Sequence, residues 1–206
     1  MKHPMLKYLK ESGPCGVRLH TILCPGCGAG QVLNYTLHAV DQILKEDDIA
    51  KERFLFVSGI GCSSRLTSHY LNFDSAWTLH GRALPVATGA LLANPNLKVI
   101  IFTGDGDAAA IGGNHFIHAC RRNIDITIVC MNNGLYGMTG GQVAPTTLRG
   151  IYTTTTPYGN TENAFDLCKM AETAGASYVA RWTTAHPQQV IRSIEAGIRK
   201  KGTAFL

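Results

Sequence analysis

Residues 97–107 read Leu-Lys-Val-Ile-Ile-Phe-Thr-Gly-Asp-Gly-Asp, and this stretch decides the fold. Its first seven residues are mostly apolar or β-branched, a composition typical of a strand buried on both faces. Gly104 and Gly106 then allow a tight turn in which the backbone can approach a ligand closely. We predict a helix directly afterwards, at 108–122. A buried strand, a glycine turn and a helix in this order form the unit from which parallel α/β sheets are built.

The segments on either side repeat this alternation. We predict strands at 54–58, 97–103, 124–131, 178–182 and 203–206, and helices at 28–46, 83–93, 108–122, 163–174 and 187–200. Because the strands are apolar throughout, the predicted fold class is α/β, a parallel sheet with helices on both faces. Ligands in such folds bind beyond the carboxyl ends of the strands, and the glycine-rich turns of this sequence fall at those ends.

The sequence also suggests how the chain is organised. Residues 1–23 are predicted to form an irregular N-terminal arm, and residues 24–206 a single ligand-binding domain. A loop rich in Gly, Thr and Pro occupies 134–159, and a loop of this length without secondary structure is usually functional or disordered. The chain stops in the apolar run 203–206, an odd place for a natural terminus, so we expect the domain to be short at its C-terminal end.

The composition is that of a folded protein, with 206 residues of which 45% are apolar and 16% charged. The absence of an 18-residue apolar run argues against a membrane span, and residues 1–10 lack the apolar segment of a signal peptide. We therefore expect a cytoplasmic protein. The net charge of +5 is scattered, which is typical of a solvated surface or of one that docks an acidic partner. Without an aromatic–basic stripe it argues against nucleic acid.

Two polar signals stand at the ends of neighbouring predicted strands. Asp105 lies between the two glycines of the first turn, and Asn133 follows 28 residues later. Glycine turns that open a helix favour phosphate, but a carboxylate repels phosphate unless a divalent cation such as Mg²⁺ bridges the two. One βα unit brings both side chains to the same edge of the sheet, where the Leu135 carbonyl could add a third oxygen. Taken singly, each motif is also a common turn signal.

Six of the seven cysteines fall into two groups. Cys24 and Cys27 form a close pair, and Cys62 follows a predicted strand. In a cytosolic chain such a pair favours metal, cluster or redox chemistry over structural disulfides. Three others lie in apolar segments and are interpreted as small buried hydrophobic residues: Cys120, Cys130 and Cys168.

Several motifs in order resemble one family of proteins. The segment from Gly104 to Asn133 is similar to the thiamine-diphosphate motif, which opens with Gly-Asp-Gly and closes with Asn-Asn. The further motifs are Cys24-Pro25-Gly26-Cys27-Gly28, Gly59-Ile60-Gly61-Cys62-Ser63, His80-Gly81-Arg82 and Tyr136-Gly137-Met138-Thr139-Gly140-Gly141-Gln142. Together they resemble the β subunit of 2-oxoacid:ferredoxin oxidoreductases, the 2-oxoglutarate branch most closely. The match covers roughly residues 20–150, and the tail after Gly150 adds little to it.

The resemblance implies a thiamine-diphosphate-binding fold and a role for each matching residue. Asp105, Asn133 and the Leu135 carbonyl correspond to the Mg²⁺ ligands. The remaining cofactor-binding positions are Gly104, Gly106, Asp107, Gly137, Met138 and Thr139 in the diphosphate cradle, with Cys62, Ser63 and His80 as further contacts. His80 and Arg65 are the candidate catalytic side chains, and Arg65 would face the substrate carboxylate unless it serves only the surface.

The resemblance also implies a [4Fe–4S] cluster, held by Cys24, Cys27 and Cys62, since thiolates are its usual ligands. The family's fourth cysteine comes after the last strand, and this sequence ends first. Either the chain is a fragment, or the cluster is incomplete or held differently. Cys15 matches no family position and is only a weak candidate. Zinc on the same thiolates and a redox Cys-x-x-Cys pair are the alternatives.

As a function, the resemblance implies oxidative decarboxylation of a 2-oxoacid with coenzyme A, giving acyl-CoA and CO₂, with electrons passing through iron–sulfur clusters to ferredoxin. The family carries the pyrimidine-binding domain on a separate α subunit, so we expect an obligate heteromer. Pyruvate or a branched-chain 2-oxoacid could replace 2-oxoglutarate as substrate.

Three other functions remain open at this point. The chain could belong to a non-oxidative thiamine-diphosphate decarboxylase, or to a non-catalytic assembly subunit. It could also be a dinucleotide-binding dehydrogenase, because Gly104-x-Gly106-x-x-Ala109 follows a strand and opens a helix. That third function needs an acid at the end of the next strand, whereas Asp125 lies at its start.

Overall fold

A six-stranded parallel sheet forms the centre of the molecule. The computed structural model describes residues 3–12, 17–18 and 21–206, so Cys15 lies outside the described residues. The sheet strands are β3 (Phe54–Ser58), β4 (Asp74–Trp77), β5 (Lys98–Gly104), β6 (Ile126–Met131), β9 (Tyr178–Val179) and β10 (Ala204–Phe205), which lie in the order β4-β3-β5-β6-β10-β9. Every pairing in this sheet is parallel. The predicted fold class is therefore confirmed.

Helices and two small hairpin-like pairs complete the described structure. The helices are α1 (Pro4–Tyr8), α2 (Ala29–Glu46), α3 (Ala83–Ala93), α4 (Gly113–Arg122), α5 (Leu167–Thr173) and α6 (Pro187–Arg199). The short antiparallel pairs are β1 (Glu11–Ser12) with β2 (Val17–Arg18), and β7 (Leu135–Tyr136) with β8 (Gln142–Val143). A 3-10 turn at Lys51–Arg53 and π-helical turns at Leu66–Tyr70 and Asp107–Ile111 join these elements. None of the described helices is long and apolar enough to cross a lipid bilayer.

The alternation of side chains along β5 explains why helices cover both faces of the sheet. Ile100 and Phe102 pack into a core with α2 and α6, whereas Val99 and Ile101 pack into a second core with α3, α4 and α5. Successive side chains of a strand point to opposite faces, so a strand in which all four positions are apolar needs a cover on each side.

The register of the two central strands, β5 and β6, determines which residues leave the sheet side by side. Gly104 at the end of β5 pairs with Met131 at the end of β6. Because the strands run parallel, the residues that follow each of them leave the sheet at the same edge. Asp105 and Asn133 therefore start from neighbouring positions, as the sequence predicts.

The structure differs from the predicted elements in a few places. Residues 1–23 are not irregular throughout, since α1 packs on α2 and buries Tyr8 in the core. The predicted helix 108–122 is interrupted at Gly112, where the π-helical turn gives way to α4. The helix predicted to start at residue 163 starts at Leu167, where Asp166 caps it by accepting hydrogen bonds from two backbone N–H groups. Strand β4, whose residues are mostly exposed, lacks the apolar pattern of a buried strand and was not predicted.

Candidate functional site

A cavity of about 540 Å³ opens at the carboxyl edge of the sheet. The sequence names twelve cofactor-binding residues, and all of them line this cavity: Cys62, Ser63, His80, Gly104, Asp105, Gly106, Asp107, Asn133, Leu135, Gly137, Met138 and Thr139. Cys27 lines it as well. The cavity is thus surrounded by four parts of the fold: the carboxyl ends of β3, β5 and β6 and the start of α2.

Asp105 is buried at the floor of the cavity, with only 2% of its surface exposed. Its Oδ2 accepts a hydrogen bond from the Gly134 backbone N–H at 3.0 Å and another from the Thr146 hydroxyl. Burial raises the pKa of the carboxyl group, and the hydroxyl and backbone donors oppose that rise. Gly134 can present its N–H because it adopts φ +74°, which other residues rarely adopt.

Three oxygens lie close together here, namely Oδ1 of Asp105, the side-chain amide oxygen of Asn133 and the Leu135 carbonyl oxygen. The side-chain amide oxygen of Asn133 is directed at Oδ1 of Asp105 and at the carbonyl oxygen of Leu135, and these contacts measure 3.2 and 2.8 Å. Oxygens that face one another without a shared proton repel unless the amide turns round or a cation lies among them. In an octahedral Mg²⁺ site with bonds of about 2.0–2.1 Å, neighbouring ligand oxygens lie about 2.9 Å apart. With the amide turned round, its nitrogen donates to both of the other oxygens; with the amide oxygen inward, its two contacts have about the spacing of oxygens around one magnesium ion.

The backbone around Gly106 leaves no space for a side chain. A Cβ atom at this position would overlap the ring of Tyr136, whose hydroxyl donates to the Gly106 carbonyl at 3.2 Å. The loop that joins β7 to β8 carries Met138 and Thr139 along the cavity wall. Gly106 is itself buried, whereas Gly137 in this loop is exposed and its backbone suits a diphosphate.

His80 and Asp107 form a close pair at 2.6 Å between Nδ1 and Oδ1. The same Oδ1 accepts hydrogen bonds from the backbone N–H groups of Gly81 at 2.7 Å and Ile60 at 3.2 Å, and Oδ2 accepts one from the Thr103 hydroxyl at 2.7 Å. The sequence predicts Asp107 in the diphosphate cradle. Asp107 lines the cavity, and its place in the cradle stays a prediction. Its carboxylate oxygens are occupied by protein donors, so this side chain also ties three loops together and orients His80.

Cys24, Cys27 and Cys62 lie near one another. Burial raises the pKa of the Cys62 thiol, and the neighbouring Cys27 and Cys24 raise it further. All three are free, and Cys24 and Cys27 are exposed. Across the described residues, no three His, Cys, Asp or Glu side chains are arranged around a single metal ion. The donor set is purely thiol, which suits an iron–sulfur cluster and equally a structural zinc ion.

Arg65 is not among the residues that line the cavity, and its contact with the substrate carboxylate stays a prediction. Its guanidinium lies over the Trp77 ring, 5.3 Å from the ring centroid, and Nη1 is 3.1 Å from Nε2 of His69. The π-helical turn Leu66–Tyr70 begins one residue later and turns the side chain toward β4. The alternative surface role fits the structure.

The tail of the chain contributes more to the site than the sequence suggests. Trp182, Thr183 and Thr184 line the cavity, although no motif after Gly150 predicts a site there. Trp182 is anchored by a hydrogen bond from Nε1 to the Ser193 hydroxyl at 2.8 Å, and the Thr184 carbonyl accepts one from Tyr35 at 2.9 Å. Tyr136 and Thr146 are two further residues that sequence reasoning missed. The first lies within a recognised motif, whereas nothing in the sequence marks the second.

Comparison with known proteins places this site in a family. Residues 59–206 match the family described as thiamine pyrophosphate enzyme, C-terminal TPP binding domain, thiamine pyrophosphate being another name for thiamine diphosphate. The chain is also 57% identical over 204 residues to the 2-oxoglutarate synthase subunit KorB of Methanocaldococcus jannaschii, which covers 99% of this chain and 72% of that protein. The chain belongs to the β subunits of the 2-oxoacid:ferredoxin oxidoreductases, in the 2-oxoglutarate branch. The predicted family is confirmed.

Two further relatives of this β subunit agree. The 2-oxoglutarate oxidoreductase subunit KorB of Mycobacterium tuberculosis is 41% identical over 183 residues, 89% of this chain and 48% of that protein. A solved structure of the 2-oxoglutarate:ferredoxin oxidoreductase from Magnetococcus marinus has 2-oxoglutarate, coenzyme A and succinyl-CoA bound. It matches with a TM-score of 0.88 at 38% identity, over 98% of this chain and 65% of that one. The β subunit described here therefore spans about two thirds of that chain's length.

Family membership argues against the dehydrogenase alternative, and so does the position of Asp125. Its carboxylate binds Lys201 at 2.8 Å and the Gly202 backbone N–H at 3.2 Å. It lies just before β6, at the edge of the sheet opposite the cavity. An acid that binds a dinucleotide ribose belongs at the carboxyl end of that strand.

Proposed function

We propose that this chain is the thiamine-diphosphate-binding subunit of a 2-oxoglutarate:ferredoxin oxidoreductase. The reaction converts 2-oxoglutarate and coenzyme A to succinyl-CoA and CO₂, and passes two electrons to two ferredoxin molecules with release of one proton. The observation that carries the proposal is the convergence of Asp105, Asn133 and the Leu135 carbonyl beside the cavity. It is supported by relatives named for 2-oxoglutarate and by a similar structure that contains 2-oxoglutarate, coenzyme A and succinyl-CoA.

In this proposal the chain holds the diphosphate end of the cofactor. Asp105, Asn133 and the Leu135 carbonyl bind Mg²⁺, which neutralises the diphosphate charge. The backbone at Gly106 and Gly137 approaches the phosphates. When bound, thiamine diphosphate supplies a carbanion and an electron sink for the decarboxylation.

His80 is proposed to contact the bound cofactor. Since Nδ1 lies 2.6 Å from the Asp107 carboxylate, the Nδ1–H group donates a hydrogen bond to that carboxylate and keeps its proton. Nε2 is thereby left as the ring nitrogen available to the cavity. Asp107 fixes the orientation of the ring and thus sets which ring nitrogen a ligand meets.

Cys24, Cys27 and Cys62 are proposed to hold the iron–sulfur cluster. Cys27 and Cys62 line the same cavity as Asp105, so the proposed cluster lies close to the cofactor site. Bound there, it supplies one-electron steps toward ferredoxin. A non-oxidative decarboxylase has no need for three thiols at this position, which favours the oxidative reaction.

A partner subunit completes the proposed enzyme. The α subunit would carry the pyrimidine-binding domain and close the cavity, whose wall is exposed at Met138 (45%) and Trp182 (48%). Large apolar side chains exposed at the mouth of a cavity are typical of surfaces that a partner covers. Residues 24–206 then form the diphosphate-binding domain of the complex.

The experiment compares Asp105→Asn with the wild type in the assembled enzyme, prepared without oxygen. With 2-oxoglutarate and coenzyme A present, the wild type should reduce methyl viologen. Asp105→Asn should lose this activity together with bound magnesium and thiamine diphosphate, as measured by elemental analysis and mass spectrometry. Asp125→Asn is the matched control, because Asp125 lies at the opposite edge of the sheet, and it should remain active.

The substrate is tested in the same assay. We expect reduction of the dye with 2-oxoglutarate to exceed that with pyruvate or a branched-chain 2-oxoacid. Faster turnover of one of those acids would reassign the substrate. Full thiamine-diphosphate retention in Asp105→Asn would refute the metal assignment, and a folded, cofactor-loaded complex without any turnover would indicate an assembly subunit.

A further inference from the structure

Thr146 reaches Asp105 across 41 residues of sequence, and nothing in the motifs of the site calls for it. Its hydroxyl donates to Oδ2 of Asp105, the oxygen that also accepts from the Gly134 N–H. Both groups are buried, Thr146 to 6% exposure. Oδ2 is thereby occupied by protein donors, and Oδ1 is left to face the Asn133 amide, which also lies against the Leu135 carbonyl.

Thr147 supports the other half of the same turn. Its hydroxyl donates to the Gly134 carbonyl at 2.5 Å and accepts from the Ala144 backbone N–H at 2.8 Å. Gly134 lies between Asn133 and Leu135, so this contact sets the turn that carries two of the three converging oxygens. The two consecutive threonines therefore bind both the Asp105 carboxylate and the turn at Gly134.

The loop that presents these threonines is itself held rigidly. Asn160 is buried, and its side chain donates to the Thr147 carbonyl at 2.8 Å and accepts from the Glu162 backbone N–H at 3.1 Å. Its backbone carbonyl accepts from Gly150 at 2.7 Å. Residues 144–160 thus form a closed loop. Its first part, at Thr146 and Thr147, is fixed against Asp105 and the turn at Gly134.

We propose that Thr146 is a positioning residue for the metal, acting through Asp105. This inference rests on the proposed function, because it assigns the metal to the oxygens described above. By holding Oδ2, the hydroxyl fixes the rotation of the carboxylate, and the three metal-facing oxygens stay in an arrangement that suits a small octahedral ion. Mg²⁺ requires near-ideal octahedral geometry, whereas the larger Ca²⁺ accepts flexible sites. Thr146 therefore contributes to selectivity for Mg²⁺ as well as to affinity.

The test measures binding of Mg²⁺ and of Ca²⁺, each in the presence of thiamine diphosphate, to the assembled enzyme by isothermal titration calorimetry. Thr146→Val removes the hydroxyl and keeps the shape of the side chain. We expect Mg²⁺ affinity to fall about 10- to 100-fold, the usual effect of losing a partner of a metal ligand. Ca²⁺ affinity should fall less, so that the preference for Mg²⁺ shrinks. Thr146→Ser restores the hydroxyl and should restore both affinity and preference.

Thr156→Val is the matched control, since the Thr156 hydroxyl pairs with Thr153 in the same loop, 2.7 Å away. It should bind both ions like the wild type. If Thr146→Val does not assemble, Thr146→Ala replaces it in the same comparison. Unchanged Mg²⁺ affinity in a folded variant, or an equal loss for Mg²⁺ and Ca²⁺, would overturn the inference and leave the proposed function intact. A wild-type enzyme that binds neither ion with the cofactor would instead defeat the proposed function.

Discussion

Asp105 and Asp107 stand two positions apart in one motif, yet their carboxylates have different surroundings. One oxygen of Asp105 is left facing other oxygens, whereas Asp107 accepts hydrogen bonds from four protein groups. The π-helical turn that begins at Asp107 directs the second side chain back toward the loops after β3 and before α3. Residue type and spacing alone therefore do not separate a metal ligand from a structural carboxylate.

At the residue scale, Cys62→Ser tests whether Cys62 is a ligand of the proposed iron–sulfur cluster. Burial and the neighbouring thiols raise the pKa of Cys62, so three adjacent thiolates are unfavourable unless a cationic centre binds them. A serine hydroxyl is a poor replacement for a thiolate ligand. We expect the iron and acid-labile sulfide content of the anaerobically purified enzyme to fall sharply.

The control for that variant is Cys168→Ser. Cys168 lies on α5, and its Sγ is directed at the Ala180 carbonyl, away from Cys24 and Cys27. This variant should keep its iron. Iron content in Cys62→Ser equal to that of the wild type would remove Cys62 from the ligand set.

At the element scale, α1 is attached to α2 through one carboxylate. Asp41 on α2 accepts hydrogen bonds from Tyr8 at 2.7 Å and from Lys7 at 3.0 Å, and it forms an ion pair with Lys45. Burial alone would raise the pKa of Asp41. The hydrogen bonds from Lys45, Tyr8 and Lys7 outweigh it and lower the pKa from 3.8 to about 2.

This shift predicts a pH dependence of stability. A folded-state pKa below the unfolded one stabilises the protein above the unfolded value, and the stabilisation is lost as the pH falls through the folded value. We expect the free energy of unfolding to drop by about 1–2 kcal/mol between pH 4 and pH 2 on account of this group. Urea denaturation at several pH values measures it. In Asp41→Asn the free energy of unfolding should change less with pH between pH 4 and pH 2. An unchanged pH dependence would show that other carboxylates cause the loss of stability.

At the scale of the whole molecule, the sheet separates two cores. Phe102 faces the core under α2 and α6, and it stacks on Phe56 with ring centroids 5.9 Å apart. Ile101 faces the opposite core under α3 and α4. Both side chains are fully buried, so the stability of the central strand depends on packing from both sides.

Truncating a side chain on either face of the sheet should lower the free energy of unfolding, and by more where more volume is removed. We expect Phe102→Ala to lower the free energy of unfolding by about 3–5 kcal/mol and Ile101→Val by about 0.5–1.5 kcal/mol, because a larger cavity loses more contacts. Urea denaturation of the purified variants gives both values. A loss of under 1 kcal/mol for Phe102→Ala would mean that the core collapses around the missing ring.

The sequence by itself determined the parallel α/β sheet and the meeting of Asp105 with Asn133. It did so because apolar strands need helices on both faces, and because the carboxyl ends of parallel strands share one edge. The tertiary structure alone decided where Arg65 points, what occupies the oxygens of Asp107, that Thr146 reaches Asp105 and that Trp182 reaches the cavity. These side chains lie in loops and turns, whose directions depend on contacts far along the chain, such as the bond from Tyr35 to Thr184 across 149 residues. Local sequence patterns do not predict such long-range contacts.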